Sequence, residues 1–137
     1  DVIVGFPGET DEEFNECRNF LKEVNFAQMH IFKYSMRQGT KAAEMKNQVK
    51  DEIKAFRSDR LLELNEQLHK EYISSFIGKN VDVLFEEIIT VNNQKYLLGH
   101  TMQYVKVAVI TDENIENEII SVKIKELLNN EIVLAMF

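Results

Sequence analysis

Apolar residues at the start of the chain come as a block and not in alternation. Val2-Ile3-Val4 stops at Gly5, and Pro7-Gly8 turns the chain. A short β-branched run without alternation is the pattern of a strand buried on both faces, as in a parallel sheet. Thr10-Asp11-Glu12-Glu13 predicts a helix start, in which the Thr10 hydroxyl accepts from the Glu13 amide and the Glu13 carboxylate reaches back. The acidic first turn also suits the positive end of a helix dipole. Phe14, Cys17, Phe20, Leu21 and Val24 then recur at helical spacing as one apolar stripe. Residues 26–34 (FAQMHIFKY) return to strand-like composition. Strand, capped helix, strand predicts a βαβ unit with a parallel pair.

A polar connection over 35–50 carries Gly39-Thr40 as its turn signal, and a second helix is expected from about Asp51 to Ser75. Its stripe is Ile53, Phe56, Leu61, Leu64, Leu68 and Tyr72, with charged residues on the other faces. Gly78 stands where a glycine closing a helix is expected. Beyond it the texture changes to five strand candidates, at 81–85, 95–99, 104–110, 119–125 and 132–136. Asn92-Asn93 and Asp112-Glu113-Asn114 are turn material, and Val105, Val107 and Val109 alternate with Lys106 and Ala108. Five short strands in so few residues predict a small closed barrel of the OB type. The fold class is therefore α/β followed by all-β, with a boundary near Phe76.

Composition narrows the function classes. The chain has 137 residues, 45% hydrophobic and 28% charged, which is ordinary globular material. Its length allows one domain or two small ones. Formal charge is −7, with five basic against nine acidic side chains over 76–137, so neither half is a polybasic phosphate binder. The single cysteine, Cys17, excludes an internal disulfide and any cysteine-only metal or iron–sulfur site built from this chain alone. No apolar run approaches the roughly 18 residues of a membrane helix, and no signal-peptide pattern precedes the first strand. The chain opens at Asp1 without a Met and is expected to be a piece of something longer.

Three stretches carry more than composition. The opening DVIVGFPGET, then His30-Ile-Phe-Lys-Tyr-Ser-Met-Arg-Gln-Gly-Thr-Lys-Ala-Ala43, then Gly78-Lys-Asn-Val-Asp-Val-Leu-Phe-Glu-Glu87 with Gly99-His-Thr-Met-Gln-Tyr-Val-Lys-Val107 stand in that order. Together they resemble the radical SAM enzymes of the methylthiotransferase family over essentially the whole chain. His30 and Asn47-Gln48-Val49 tilt the resemblance toward the branch that modifies threonylcarbamoyl-adenosine in tRNA. The resemblance implies that residues 1–50 are the last part of a radical SAM partial TIM barrel, 51–75 a connecting helix, and 76–137 a TRAM domain. It implies a cytoplasmic enzyme that inserts a methylthio group at adenosine 37 of tRNA. Its cofactors would be S-adenosyl-L-methionine (SAM) and two [4Fe–4S] clusters; its partners would be the tRNA anticodon arm and a sulfur- or electron-donor protein, with no membrane. An aromatic ring C–H has no useful acidity, so the cofactor must carry the hard step. None of that family's six cluster cysteines is present, so this chain is expected to hold no cofactor and to be inactive by itself.

In the family the Ile3–Gly5 segment backs the adenine of SAM, and the plain alternative is a buried strand ending in a turn glycine. Tyr34, Ser35 and Arg37 follow a strand end, and the resemblance adds Tyr34 and Arg37 to the cofactor-binding set beside Ile3 and Gly5. An exposed loop arginine is the ordinary reading of Arg37. Glu9 and Glu13 are read as cap or dipole partners, and Cys17 as a core residue. His30, His69 and His100 lack metal-ligand spacing. On the barrel Lys79, Tyr104 and Lys106 are the RNA-binding candidates, with Lys95, Tyr96, His100 and Gln103 beside them; tyrosines in so small a barrel are also ordinary core. Two rivals stay open: a non-enzymatic RNA-binding module, and a family member acting on a basic ribosomal protein, which the acidic barrel would attract.

Overall fold

Val2–Val4 forms β1 and Ile31–Lys33 forms β2, paired in parallel with Ile3 opposite Phe32. The computed structural model describes residues 1–137 and divides into two units, Asp1–His69 and Lys70–Phe137. Between β1 and β2 runs α1, Asp11–Val24, so the expected βαβ unit is present. Its start is the capping box read from the sequence: Glu13 N donates to Thr10 Oγ1 at 3.2 Å, and Thr10 N donates to Glu13 Oε1 at 3.4 Å. Asn25 ends the helix in the left-handed conformation.

Strand β2 is much shorter than residues 26–34. Met29 N donates to Asn65 Oδ1 at 2.8 Å, and Asn65 Nδ2 donates to the Met29 carbonyl at 3.0 Å. His69 Nδ1 lies 3.0 Å from the Ala27 carbonyl, which requires its proton on Nδ1. Side chains of the following helix thus satisfy this backbone, and no sheet ladder is needed there. The connection that follows holds one helical turn, α2 (Lys41–Glu44), capped by Thr40.

Helix α3, Asp51–Ser74, departs from the expected stripe in its first half. Leu61, Leu64 and Leu68 are buried with Val4, Phe14, Leu21 and Met29 in the core of the first unit. Ile53 and Phe56 are exposed, whereas Lys54, Arg57 and Ser58 are buried. The helix turns its charged side inward because carboxylates and an aromatic ring wait there, as described below. On α1, Phe20 and Val24 are likewise exposed, although they belong to the apolar stripe, and Cys17 is half-buried against the core.

The second unit is a closed five-stranded barrel. Its strands are β3 (Asn80–Val91), β4 (Gln94–His100), β5 (Lys106–Val109), β6 (Ile119–Leu127) and β7 (Ile132–Met136). The order is β3-β4-β5-β7-β6, closed by β3 against β6, with β5 and β7 parallel. All five strand candidates are strands. Asn92 and Asn93 both adopt positive φ in the tight β3–β4 turn. Phe85, Val107, Val109, Val122, Ile124 and Val133 fill the interior, and Ile73 of the last turn of α3 joins them. At Gly99 a Cβ would collide with the Leu84 carbonyl, so only glycine lets β4 lie this close to β3.

Candidate functional site

Two regions gather the candidate residues, one in each unit. In the first, the ends of β1 and β2 lie together because Tyr34 N donates to the Val4 carbonyl at 2.7 Å. Ile3 (58% exposed) and Phe32 (52% exposed) form a cross-strand pair on the open face of the sheet, while Val4 faces the core. Gly5 takes φ +77°, and its amide donates to Glu9 Oε1 at 3.0 Å. A Cβ at Gly5 would collide with the Lys54 side chain, so the close approach this glycine permits is to Lys54. The Lys54 ammonium sits 5.3 Å from the centre of the Tyr34 ring and 3.5 Å from Asp51 Oδ1. Phe6 packs edge-on to Tyr34, whose hydroxyl is buried without a hydrogen-bond partner. Arg37 is exposed in the loop, and its carbonyl accepts from Thr40 Oγ1 at 2.7 Å.

Behind this edge lies a charged clamp that sequence reading missed. Arg57, only 4% exposed, donates through Nη1 to Glu9 Oε1 at 2.7 Å and to the Glu9 carbonyl at 3.1 Å. Its Nη2 donates to Asp11 Oδ1 at 2.9 Å. Glu9 is thus the anchor that ties the Gly5–Gly8 turn to α3, more than a helix-dipole partner. The one available signal was Lys54 and Arg57 three residues apart on one helix face. Burial, and then the nearby Glu9 carboxylate, push the Cys17 thiol pKa up, as suits a packed thiol and not a nucleophile.

On the barrel, the β4–β5 connection differs from its expected shape. Tyr104 is not in a strand: it takes φ +62° in a turn held by its amide donating to the Thr101 carbonyl at 3.0 Å, and β5 begins at Lys106. Tyr104 is consequently 82% exposed and lies parallel to the His100 ring, with centroids 6.1 Å apart. His100 Nδ1 donates to Glu86 Oε2 at 3.1 Å, and His100 pairs in register with Lys106. Met102 and Gln103 are exposed in the same connection. Lys79 lies apart in sequence, with its ammonium 5.6 Å from the Phe76 ring centre.

The opposite end of the β4–β5 pair borders a cleft of about 370 Å³. Lys95 and Tyr96 line it with exposed Ile88 and Ile110, and Asp112, Glu113 and Glu116 make its rim acidic. His30 lies 3.3 Å from Asp1, far in sequence from His69 and His100, and no three His, Cys, Asp or Glu side chains converge as metal ligands. No helix is long and apolar enough to cross a membrane.

No protein-family model matches the chain. Many curated proteins do, and three of them illustrate the likeness. The threonylcarbamoyladenosine tRNA methylthiotransferase MtaB of Bacillus subtilis is 43% identical over 125 residues, 90% of this chain and 28% of that protein. The tRNA-2-methylthio-N(6)-dimethylallyladenosine synthase of Acetivibrio thermocellus is 40% identical over 90% of this chain and 26% of its own length. The enzyme of that name from Alkaliphilus oremlandii is 36% identical over 97% of this chain and 29% of its own length. The chain thus spans less than a third of the curated relatives it matches. Over that span it is homologous to tRNA methylthiotransferases, in line with the resemblance carried by its motifs.

Proposed function

We propose that the chain serves tRNA methylthiolation as part of a cytoplasmic radical SAM enzyme acting at adenosine 37. Residues 1–50 are then the last part of a partial barrel, 51–75 the connecting helix, and 76–137 an OB-type TRAM domain that grips the anticodon arm. The threonylcarbamoyl branch is favoured by the 43% identity to a relative bearing that name. Sulfur- and electron-donor proteins would be partners of the whole enzyme.

The residues present do not fit an iron–sulfur cluster, because a cluster needs several cysteines and Cys17 stands alone. For SAM the fit is better: Ile3 and Phe32 offer an open apolar face to a planar base. Gly5 has its amide committed to Glu9, so its part is to let Lys54 pack close. In that family SAM supplies the radical chemistry that side chains lack. Arg37, exposed past the strand end, is free to take a carboxylate or phosphate.

The observation that carries the RNA reading is the exposed Tyr104–His100 stack beside Lys106, since a ring turned out of a barrel core is a platform for a base. Tyr104→Ala is expected to weaken binding of a tRNA anticodon stem-loop by about 1–3 kcal/mol, measured by fluorescence anisotropy. Lys106→Ala, Lys79→Ala and Arg37→Ala should each lower the slope of log affinity against log salt by about 1. Unchanged affinity in the tyrosine variant and unchanged slopes in the others would sink the reading. The acidic cleft favours a second reading, a basic ribosomal protein as partner. A basic peptide that binds and that the stem-loop cannot displace would support it.

A further inference from the structure

Away from the sheet edge, α1 and α3 enclose a cleft of about 270 Å³ within the first unit. Helix α1 presents Asp11, Asn15 and Arg18 to it at helical spacing, and α3 presents Phe56, Arg57 and Arg60. Three guanidinium groups thus meet in one small space of a chain whose net charge is −7. Arg57 is held by Glu9 and Asp11, but Arg18 and Arg60 make no ion pair. The Arg18 Nε is buried without a hydrogen-bond partner. A buried donor left unpaired is costly. The Arg60 guanidinium carbon lies 5.6 Å from the centre of the Phe56 ring, which is 61% exposed although it belongs to the apolar stripe of its helix.

Unpaired guanidinium forks match phosphate oxygens, and an exposed phenyl ring matches the flat face of a base. The cleft is smaller than a typical pocket for a drug-sized ligand, so it suits one phosphate, with the base outside on the ring. We propose that the α1–α3 cleft binds a nucleotide, its phosphate held by Arg18 and Arg60 and its base stacked on Phe56. This rests on neither the barrel stack nor the SAM reading. Asp11 opposes it, because its carboxylate competes for Arg57 and repels the phosphate.

The test is a titration of the 137-residue chain with adenosine monophosphate and with inorganic phosphate, followed at the arginine Nε–H resonances by NMR. Saturable shifts at Arg18 and Arg60 are expected, with the nucleotide binding several-fold tighter than phosphate. Arg60→Ala and Arg18→Ala should each weaken both ligands about tenfold, the loss expected of a charge-assisted hydrogen bond. Phe56→Leu should remove the preference for the nucleotide and leave phosphate binding in place. Asp11→Asn should tighten both. Arg60 and Phe56 lie at the surface, so their substitution leaves the core intact. Shifts confined to the barrel lysines, an absence of saturation, or a nucleotide preference that survives Phe56→Leu would overturn the proposal.

Discussion

The barrel closes its own sheet around Phe85, Val107, Ile124 and Val133, so every strand has two neighbours and the interior is apolar. The first unit has only a three-residue parallel pair, leaves Ile3 and Phe32 open on one face, and ties its loops to α3 with Arg57 and Asn65. One unit is specified by closure and the other by anchored polar groups. A closed apolar sheet tolerates an exposed working surface, because its core does not depend on the loops that carry it. The exposed Tyr104 turn, the proposed base platform, would be such a surface. In the first unit the anchors stand next to the candidate cofactor edge, so stability and binding geometry share the same side chains.

Substitutions can break this contrast. The largest effect is expected from Phe85→Ala, which empties the centre of the barrel core and should cost about 3–5 kcal/mol in a urea transition followed by circular dichroism. A cost near zero would mean that closure is not held by that core. In the first unit the largest effect should come from a charge. Arg57→Leu is expected to cost about 3 kcal/mol, because it strands the largely buried Glu9 carboxylate. Adding Glu9→Gln should recover part of that loss, and a double variant as unstable as the single one would contradict the clamp. Asn65→Ala should cost about 1–3 kcal/mol by orphaning the Met29 amide and carbonyl, with faster hydrogen exchange at Met29 as its local signature.

The smallest effect belongs to Cys17. Its folded pKa lies above the ordinary 9.0, so the folded state holds the thiol proton more tightly than the unfolded state does. That contribution is fully present below the ordinary value and is lost as pH climbs through the raised one. Iodoacetamide should therefore alkylate Cys17 more slowly at pH 8 in the folded chain than in urea. Cys17→Ser should flatten the alkaline loss of stability.

The barrel was legible from local pattern because each strand announces itself: Val105, Val107 and Val109 alternate, and Asn92-Asn93 can take the backbone of a tight turn. The start of β5 was not legible, since nothing near Tyr104 marks it as the residue at φ +62°. The capped helix α1 was equally plain from Thr10 and Glu13. The first half of α3 was not. Ile53 and Phe56 advertise a buried face, yet Lys54 and Arg57 are inside because their partners at Asp11, Glu9 and Tyr34 lie far back in the sequence. Residues 26–30 fail for the same reason, their backbone being satisfied by Asn65 and His69. Of the candidate site residues, Tyr34 and Gly5 were placed together by the strand ends, whereas Lys54 and Arg57 behind them depend on contacts no short window contains.

The parallel pairing of β5 with β7, together with the β3–β6 seam, has a kinetic consequence. Lys106 must find Ile132, and Val81 must find Val122, before the barrel gains its interior. Such distant pairings have to be assembled against loop-closure entropy, which places folding of a β unit on the order of milliseconds to seconds. Helix α3 needs only neighbours in sequence, and helices form on the order of microseconds. During synthesis, then, helix α3 forms long before the barrel that follows it in the chain, and β7 is the strand whose arrival lets the ring shut.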